Sequence, residues 1–294
     1  MRLKNTIAAL RERSEHSLSG VDDLILAARA VHDNVIHGDH AMRKSGAGQK
    51  FWQFREYQQG DEPNSIDWRQ SAKGDAIFIK QKEWQTSLKT YLWCASGKSM
   101  MFTSGRKHYS KQNCAQIITL ALALMLKDAK EHVGIYGDSM TGRSEFKMEH
   151  IAQSLIDQRL TDIYLPNIND ISLPKNAYFI GLGDFLSPIE EIEANIKALS
   201  MRTGSGIIIQ VLDPAELNLT YTGRIRFKGL KNKENETVNS ISSIAQDYSA
   251  RISEHNAALR NLCTENGWHY ILHQTDHDIT KTLNDIAAIS REGK

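Results

Sequence analysis

The run Gly-Ile-Ile-Ile-Gln-Val-Leu at residues 206–212 has one polar side chain and none of the alternation of a strand with one face in water. Such a segment suits a strand buried on both faces, and sheets covered on both faces are typically parallel, with helices packed above and below. That requirement calls for helices between strands, and the flanking chain supplies them. Residues 90–94, 133–136, 177–182 and 268–272 are further short apolar runs of strand length. Residues 109–130 carry Ala115, Ile118, Leu122, Met125, Leu126 and Ala129 along one helical face, and Ile151, Leu155 and Ile156 mark a helix entered from Ser144. Ser187 reads as an N-cap, with Pro188 at the first helical position and Glu190 and Glu191 against the positive end of the dipole. A helix over 238–265 stops before Gly267 as its C-terminal cap, and Thr275 or Asp276 caps a last helix with Ile279, Leu283, Ile286 and Ala287 inward. This order predicts an α/β fold, a doubly wound, mostly parallel sheet with right-handed crossovers. Residues 217–230 alternate around Thr222-Gly223 and predict a hairpin or edge addition, followed by a polar linker over 231–237.

Helices are also expected over 3–13 and 21–35, the second with Val21, Leu24, Ile25, Ala28 and Val31 along one face. Beyond a polar, glycine-rich loop at 37–48 lies the densest stretch of unusual residues in the chain, Phe51 to Glu83. Gly60-Asp61-Glu62-Pro63-Asn64 reads as a tight turn, since Gly tolerates positive φ, Asp bonds the backbone ahead of it and Pro presets φ. Extended arms flank it. Phe51, Trp52, Phe54 and Tyr57 interleave with Arg55 before the turn; Ile66-Asp67-Trp68-Arg69 leads through Lys73-Gly74-Asp75 into Ala76-Ile77-Phe78-Ile79 after it. A guanidinium forks onto a carboxylate and also lies on an aromatic face, so Arg55 and Arg69 with Asp61, Asp67, Trp52 and Trp68 suit one partly buried polar lattice. Two roles are open to it: holding a small β subdomain together, or also meeting a partner through Arg55, Tyr57, Asp61, Asp67, Trp68 and Arg69.

Several function classes are excluded or disfavoured on simple grounds. A formal net charge of +1 advertises no concentrated basic face, so no nucleic-acid partner is expected. Cys94, Cys114 and Cys263 are odd in number, far apart and without a Cys-x-x-Cys pair, which suits reduced core thiols of a cytoplasmic protein and offers no zinc framework. His32, His37 and His40 bring no fourth ligand into view and read as surface histidines. Residues 1–17 lack the apolar block of a signal peptide, and the longest greasy run, Ile117 to Leu126, is about half of the ~20 residues a spanning helix needs. No direct membrane insertion is expected.

The pattern Gly46-Ala47-Gly48, Phe51, Arg55, Tyr57, Gly60-Asp61, Ile66-Asp67-Trp68-Arg69 and Ser71-Ala72 resembles the signature of the bacterial domain of unknown function 58 family. The likeness continues through Lys80-Gln81-Lys82-Glu83-Trp84, Ser99-Met100, Asp213-Pro214-Ala215-Glu216, Gly267-Trp268-His269-Tyr270 and His273-Gln274-Thr275-Asp276. Members resemble von Willebrand factor A domains, and their genes often accompany MoxR-type AAA+ ATPases. The resemblance therefore implies a von Willebrand A-like domain at 85–294, preceded at 1–84 by N-terminal helices and a small β subdomain. It also implies a MoxR-type AAA+ ATPase as protein partner and, for a chain without the membrane helices of longer relatives, a cytoplasmic location at most peripheral to the inner membrane.

In a doubly wound sheet ligands sit beyond the carboxyl ends of the strands, which places the loop Ala95 to Met100 and Asp184 at one edge. The metal-dependent adhesion site implied by the resemblance needs an Asp-x-Ser-x-Ser loop, and this chain departs from it. Anchored on Ser99, the aspartate position is Ala95 and the first serine position Gly97; anchored on Ser96, they are Cys94 and Lys98 at the Asp and second Ser positions. Ser96, Lys98, Ser99 and Asp184 are thus a degenerate metal-site loop, with no metal or other cofactor expected and Mg²⁺ the one disfavoured candidate. Gly97-Lys98-Ser99 copies the end of a phosphate loop, but the glycine five residues earlier is Leu92. No catalytic constellation is complete. The expectation is a non-enzymatic interaction or adaptor domain, with a metal- or ligand-binding sensor as the alternative.

Overall fold

Apolar strands without alternation pair where both of their faces can be covered, and the main sheet of this protein is assembled that way. The structure, a computed structural model, describes residues 20–38, 51–58, 66–74, 76–82, 89–105, 109–136, 147–157, 173–221, 223–228 and 235–292. In chain order these form helix α1 (Val21–Gly38), strand β1 (Phe51–Glu56), the single turn α2 (Trp68–Ser71), β2 (Phe78–Lys82), β3 (Lys89–Cys94), α3 (Lys111–Asp128), β4 (His132–Ile135) and α4 (Met148–Asp157). There follow β5 (Ala177–Gly183), α5 (Ile189–Ser200), β6 (Thr203–Leu212), the short α6 (Pro214–Leu217), β7 (Ile225–Lys228), β8 (Asn235–Val238), α7 (Ala245–Glu265), β9 (His269–Gln274) and α8 (Ile279–Glu292). No helix among the described residues is long and apolar enough to cross a membrane.

Five strands make one all-parallel sheet in the order β4-β3-β5-β6-β9, flanked by helices. This is the expected doubly wound α/β arrangement. Every residue of β6 from Gly206 to Leu212 is buried, as an unalternating run requires. Gly206 is needed there: a Cβ would lie 2.8 Å from both the Phe179 carbonyl oxygen and the Trp268 ring, so only glycine lets that indole lie on the strand. The chain goes from β3 out to β4 and returns past β3 to β5, so the winding reverses between two neighbours whose carboxyl ends leave a crevice.

The chain divides into two compact units, residues 1–40 with 88–294, and residues 41–87. The boundary differs from the expected division at 84/85 because Leu24, Ile25 and Ala28 of α1 are buried in the same core as the strands, and α1 packs on α3, α4 and α8. In the small unit β1 and β2 pair antiparallel, with a bridge between Ile66 and Ile79. The segment expected to be extended at 66–69 instead turns into α2. Asp67 starts that turn by accepting the Gln70 N–H at 2.9 Å, and the Ser71 hydroxyl donates to the Asp67 carbonyl at 2.9 Å while accepting the Phe78 N–H at 2.8 Å. The helix expected over 3–13, the turn at 60–64 and the cap Ser144 lie outside the described residues.

Three other boundaries move for local reasons. Residues 235–238, expected to end a linker and open a helix, form β8 and pair with β7 in a hairpin separate from the main sheet, so α7 begins only at Ala245. The N-cap of α5 is Pro188, whose carbonyl receives the Glu191 and Ile192 N–H groups. The hydroxyl of Ser187, the expected cap, is buried without a hydrogen-bond partner. Asp278 stands where Thr275 or Asp276 was expected to cap α8, accepting the Thr280 N–H at 2.9 Å. Gly267 takes φ of +70°, the left-handed value expected at a helix C-terminus.

Candidate functional site

A lysine in the first turn of a helix opposes the helix dipole and needs compensation. Lys111, the first residue of α3, has it in full. It follows the N-cap Ser110, whose hydroxyl accepts the Asn113 N–H, and its side chain is wholly buried. Its ammonium lies 3.0 Å from Asp184 Oδ2 and 2.6 Å from Glu216 Oε1. Asp184 follows β5 directly, and Glu216 stands on α6, directly after β6. One cation therefore ties the start of α3 to the loops leaving two adjacent strands.

The carboxylates are themselves fixed. Asp213, fully buried at the end of β6, accepts the Ala215 N–H at 2.9 Å while Glu216 accepts the Asp213 N–H at 2.9 Å, a reciprocal capping box with Pro214 at the first helical position. The second Asp213 oxygen takes the Ser104 N–H at 2.9 Å, which brings in the loop after β3. Gln210, the one polar residue of the apolar run, donates to the Asp184 carbonyl at 2.9 Å and accepts from the Tyr270 hydroxyl. Tyr248 donates to the Glu216 carbonyl at 2.7 Å. Burial holds the Glu216 carboxyl above its ordinary range, against the downward pull of Lys111 and the Asp213 N–H, and with a further upward push from Asp184. Phe185 has φ of +47°, an unfavourable left-handed conformation for a side chain of its size, and is held by burial against Trp93 and by His255 Nε2 donating to its carbonyl at 2.7 Å.

The expected loop residues converge on this edge in unequal ways. Ser96 is buried at the end of β3, Ser99 is half-buried, Lys98 is exposed on a four-residue 3-10 turn, and Asp184 is buried and held by Lys111. The Cys94 thiol is buried and pushed up to about 12 by desolvation, so it supplies no anionic ligand. Cys114 and Cys263 are buried and shifted the same way, Cys263 to about 12. The residues do not fit a divalent ion: an ammonium already sits against the one available aspartate of that loop set and would repel a second cation. No cluster of three metal-ligating side chains occurs among the described residues. The Gly97-Lys98-Ser99 sequence opens no helix able to cradle phosphate, only that 3-10 turn.

Around the buried cluster the same edge presents apolar side chains to water. Met101 and Phe102, after β3, are 56% and 37% exposed, and Leu186, after β5, is 38% exposed. In the small unit, Asp67 is half-buried as the α2 cap, Arg69 and Tyr57 are exposed, and Trp68 stands 67% exposed rather than inside a lattice. Asp61 and the side chains of Arg55 and Trp52 lie outside the described residues, as does His40. His32 is half-buried and bonds the exposed carboxylates of Asp33 at 3.1 Å and Asp128 at 3.0 Å, and it belongs to no metal-ligand cluster among the described residues.

Sequence alone does not single out Lys111, and it meets Asp213 and Glu216 only inside the family likeness at 213–216, without a role. Two signals mark them: Asp-Pro-Ala-Glu following a fully apolar strand is a capping box, and a lysine directly after an N-cap serine goes against the dipole. Together the fold and site define a doubly wound α/β protein whose strand-end crevice is closed by an internal ion-pair cluster. The chain belongs to the family described as protein of unknown function DUF58, whose profile matches residues 53–258. It is similar to an uncharacterized protein of Mycobacterium bovis and to uncharacterized proteins of two strains of Mycobacterium tuberculosis, each 23% identical over 287 residues, covering 92% of this chain and 88% of the relative. No solved structure matches.

Proposed function

We infer that this protein is a non-enzymatic docking domain of von Willebrand A-like type, and that the carboxyl edge of its parallel sheet grips a protein partner. The observation that carries this reading is the pairing of a sealed polar cluster with an exposed apolar rim at one edge: Lys111, Asp184 and Glu216 satisfy one another underneath, while Met101, Phe102 and Leu186 face water. Exposed aromatic and aliphatic side chains on a rigid base are the usual anchors of protein interfaces. A reaction at this edge would need a free nucleophile or base. The ammonium and the two carboxylates here are committed to each other, and burial holds the Cys94 and Cys114 thiols protonated.

The partner supported by the family resemblance is a MoxR-type AAA+ ATPase, with the domain acting in assembly or remodelling of client complexes. The test is capture of that ATPase by the tagged protein under ATP-trapping conditions. Capture that falls roughly tenfold or more in Met101→Asp with Leu186→Asp is expected, given the usual weight of interface anchors. Failure to recover any such ATPase, or recovery unchanged by the double substitution, overturns the reading.

A further inference from the structure

We propose that Lys111 is a resident cation doing the work of a divalent ion, so that the docking edge is assembled without metal, and that removing this one charge opens a divalent-cation site between Asp184 and Glu216. The geometry is that of a coordination centre with nitrogen in place of metal. A single buried point lies 3.0 Å from one carboxylate oxygen and 2.6 Å from another, and the two carboxylates come from the loops after adjacent parallel strands. Mg²⁺ holds oxygen ligands at about 2.0–2.1 Å and Ca²⁺ at about 2.3–2.6 Å, and Mg²⁺ is commonly bound by one or two carboxylates with water filling the remaining positions. Small inward movements of two side chains suffice.

Charge balance points the same way. Lys111 against two carboxylates leaves a residual negative charge. A dication at that point would neutralise the pair completely. In the protein as it stands the ammonium occupies the position permanently, anchored by the backbone of α3 rather than by exchange with solvent. The consequence is a docking edge indifferent to the concentration of free divalent ions. That consequence rests on the docking reading, whereas the ion-binding behaviour itself needs no partner and is measured on the protein alone.

The experiment compares the EDTA-treated full chain and its Lys111→Ala variant by thermal melting and by isothermal titration with Mn²⁺, Mg²⁺ and Ca²⁺. The unaltered protein is expected to show no saturable binding and no change in melting temperature. Lys111→Ala is expected to melt lower in EDTA and to regain roughly 5 °C or more as Mn²⁺ saturates one site per chain. Lys111→Ala with Asp184→Asn should lose that response. A variant with Lys111→Met, Asp184→Asn and Glu216→Gln together removes every charge and separates lost charge from lost packing; it should fold and ignore metal. Stoichiometric divalent binding by the unaltered protein overturns the proposal. So does a Lys111→Ala chain that is blind to metal, or one that fails to fold with or without Mn²⁺ while the triple variant folds. Because none of these measurements includes a partner, their failure leaves the docking reading standing, and failed ATPase capture leaves the ion result standing.

Discussion

The stretch richest in distinctive residues, Phe51 to Glu83, and the most tightly built polar cluster, Lys111 with Asp184 and Glu216, are in different units of the molecule and have opposite surroundings. In the first, an aromatic residue of the signature, Trp68, faces water, and the polar residues Asp67 and Ser71 serve a single helical turn. In the second, an unremarkable lysine is fully buried and joins loops from two strands of the central sheet. Distinctiveness in sequence and energetic weight therefore part company. A surface signature is free to be conspicuous because water solvates it, whereas a buried charge is tolerated only where partners meet it.

The sharpest way to break this contrast is Lys111→Met. It keeps most of the side-chain volume and strands the buried Asp184 and half-buried Glu216 carboxylates, so a loss of about 3–5 kcal/mol in urea-unfolding stability is expected. A loss below about 1 kcal/mol would mean that the cluster is no more important than a surface pair. The next effect in size tests whether buried polar groups near this edge all behave alike. His273, buried on β9, bonds the Thr282 hydroxyl at 2.8 Å through Nδ1, but its Nε2 is buried without a partner, and desolvation brings its pKa down to about 4. It is thus neutral when folded and takes a proton near pH 6.5 when unfolded. Its contribution is whole above that value and is lost as pH falls toward 4. Between about pH 7.5 and about pH 5 the loss should come to about 2 kcal/mol, measured by urea unfolding at both values and abolished in His273→Leu.

The same contrast explains what could be read from sequence. The doubly wound sheet was legible because Gly206–Leu212 and Ala177–Leu182 leave no solvated face, and burial on both faces has few solutions. Asp184 was legible because it ends such a strand. Lys111 was not: its place depends on where β5 and β6 deliver their carboxylates, a contact across 73 and 105 residues that no local pattern records. The placing of α1 with the large unit was hidden for the same reason, since distant partners decide it. The pairing of β7 with β8 is local, but the second strand, Asn-Glu-Thr-Val, has one apolar residue and so gives no alternation to read.

Two smaller predictions probe the signature unit. Asp67→Ala removes the side chain that accepts the Gln70 N–H and should cost about 1 kcal/mol, the usual price of an N-cap, read as faster amide exchange confined to residues 67–72. Trp68→Ala is the opposite case. At 67% exposure the indole leaves little apolar area to lose, and substitutions away from buried features stay within about 0.5 kcal/mol, so unfolding by urea should hardly change. Its value lies in the split between stability and binding. If the small unit is only a scaffold, partner capture will be as indifferent to Trp68→Ala as stability is; if it also meets the partner, capture falls while the urea midpoint stays put. A Trp68→Ala chain that loses stability by more than about 1 kcal/mol would place the indole inside a lattice after all, and the distinction between a conspicuous surface and a silent buried cation would dissolve.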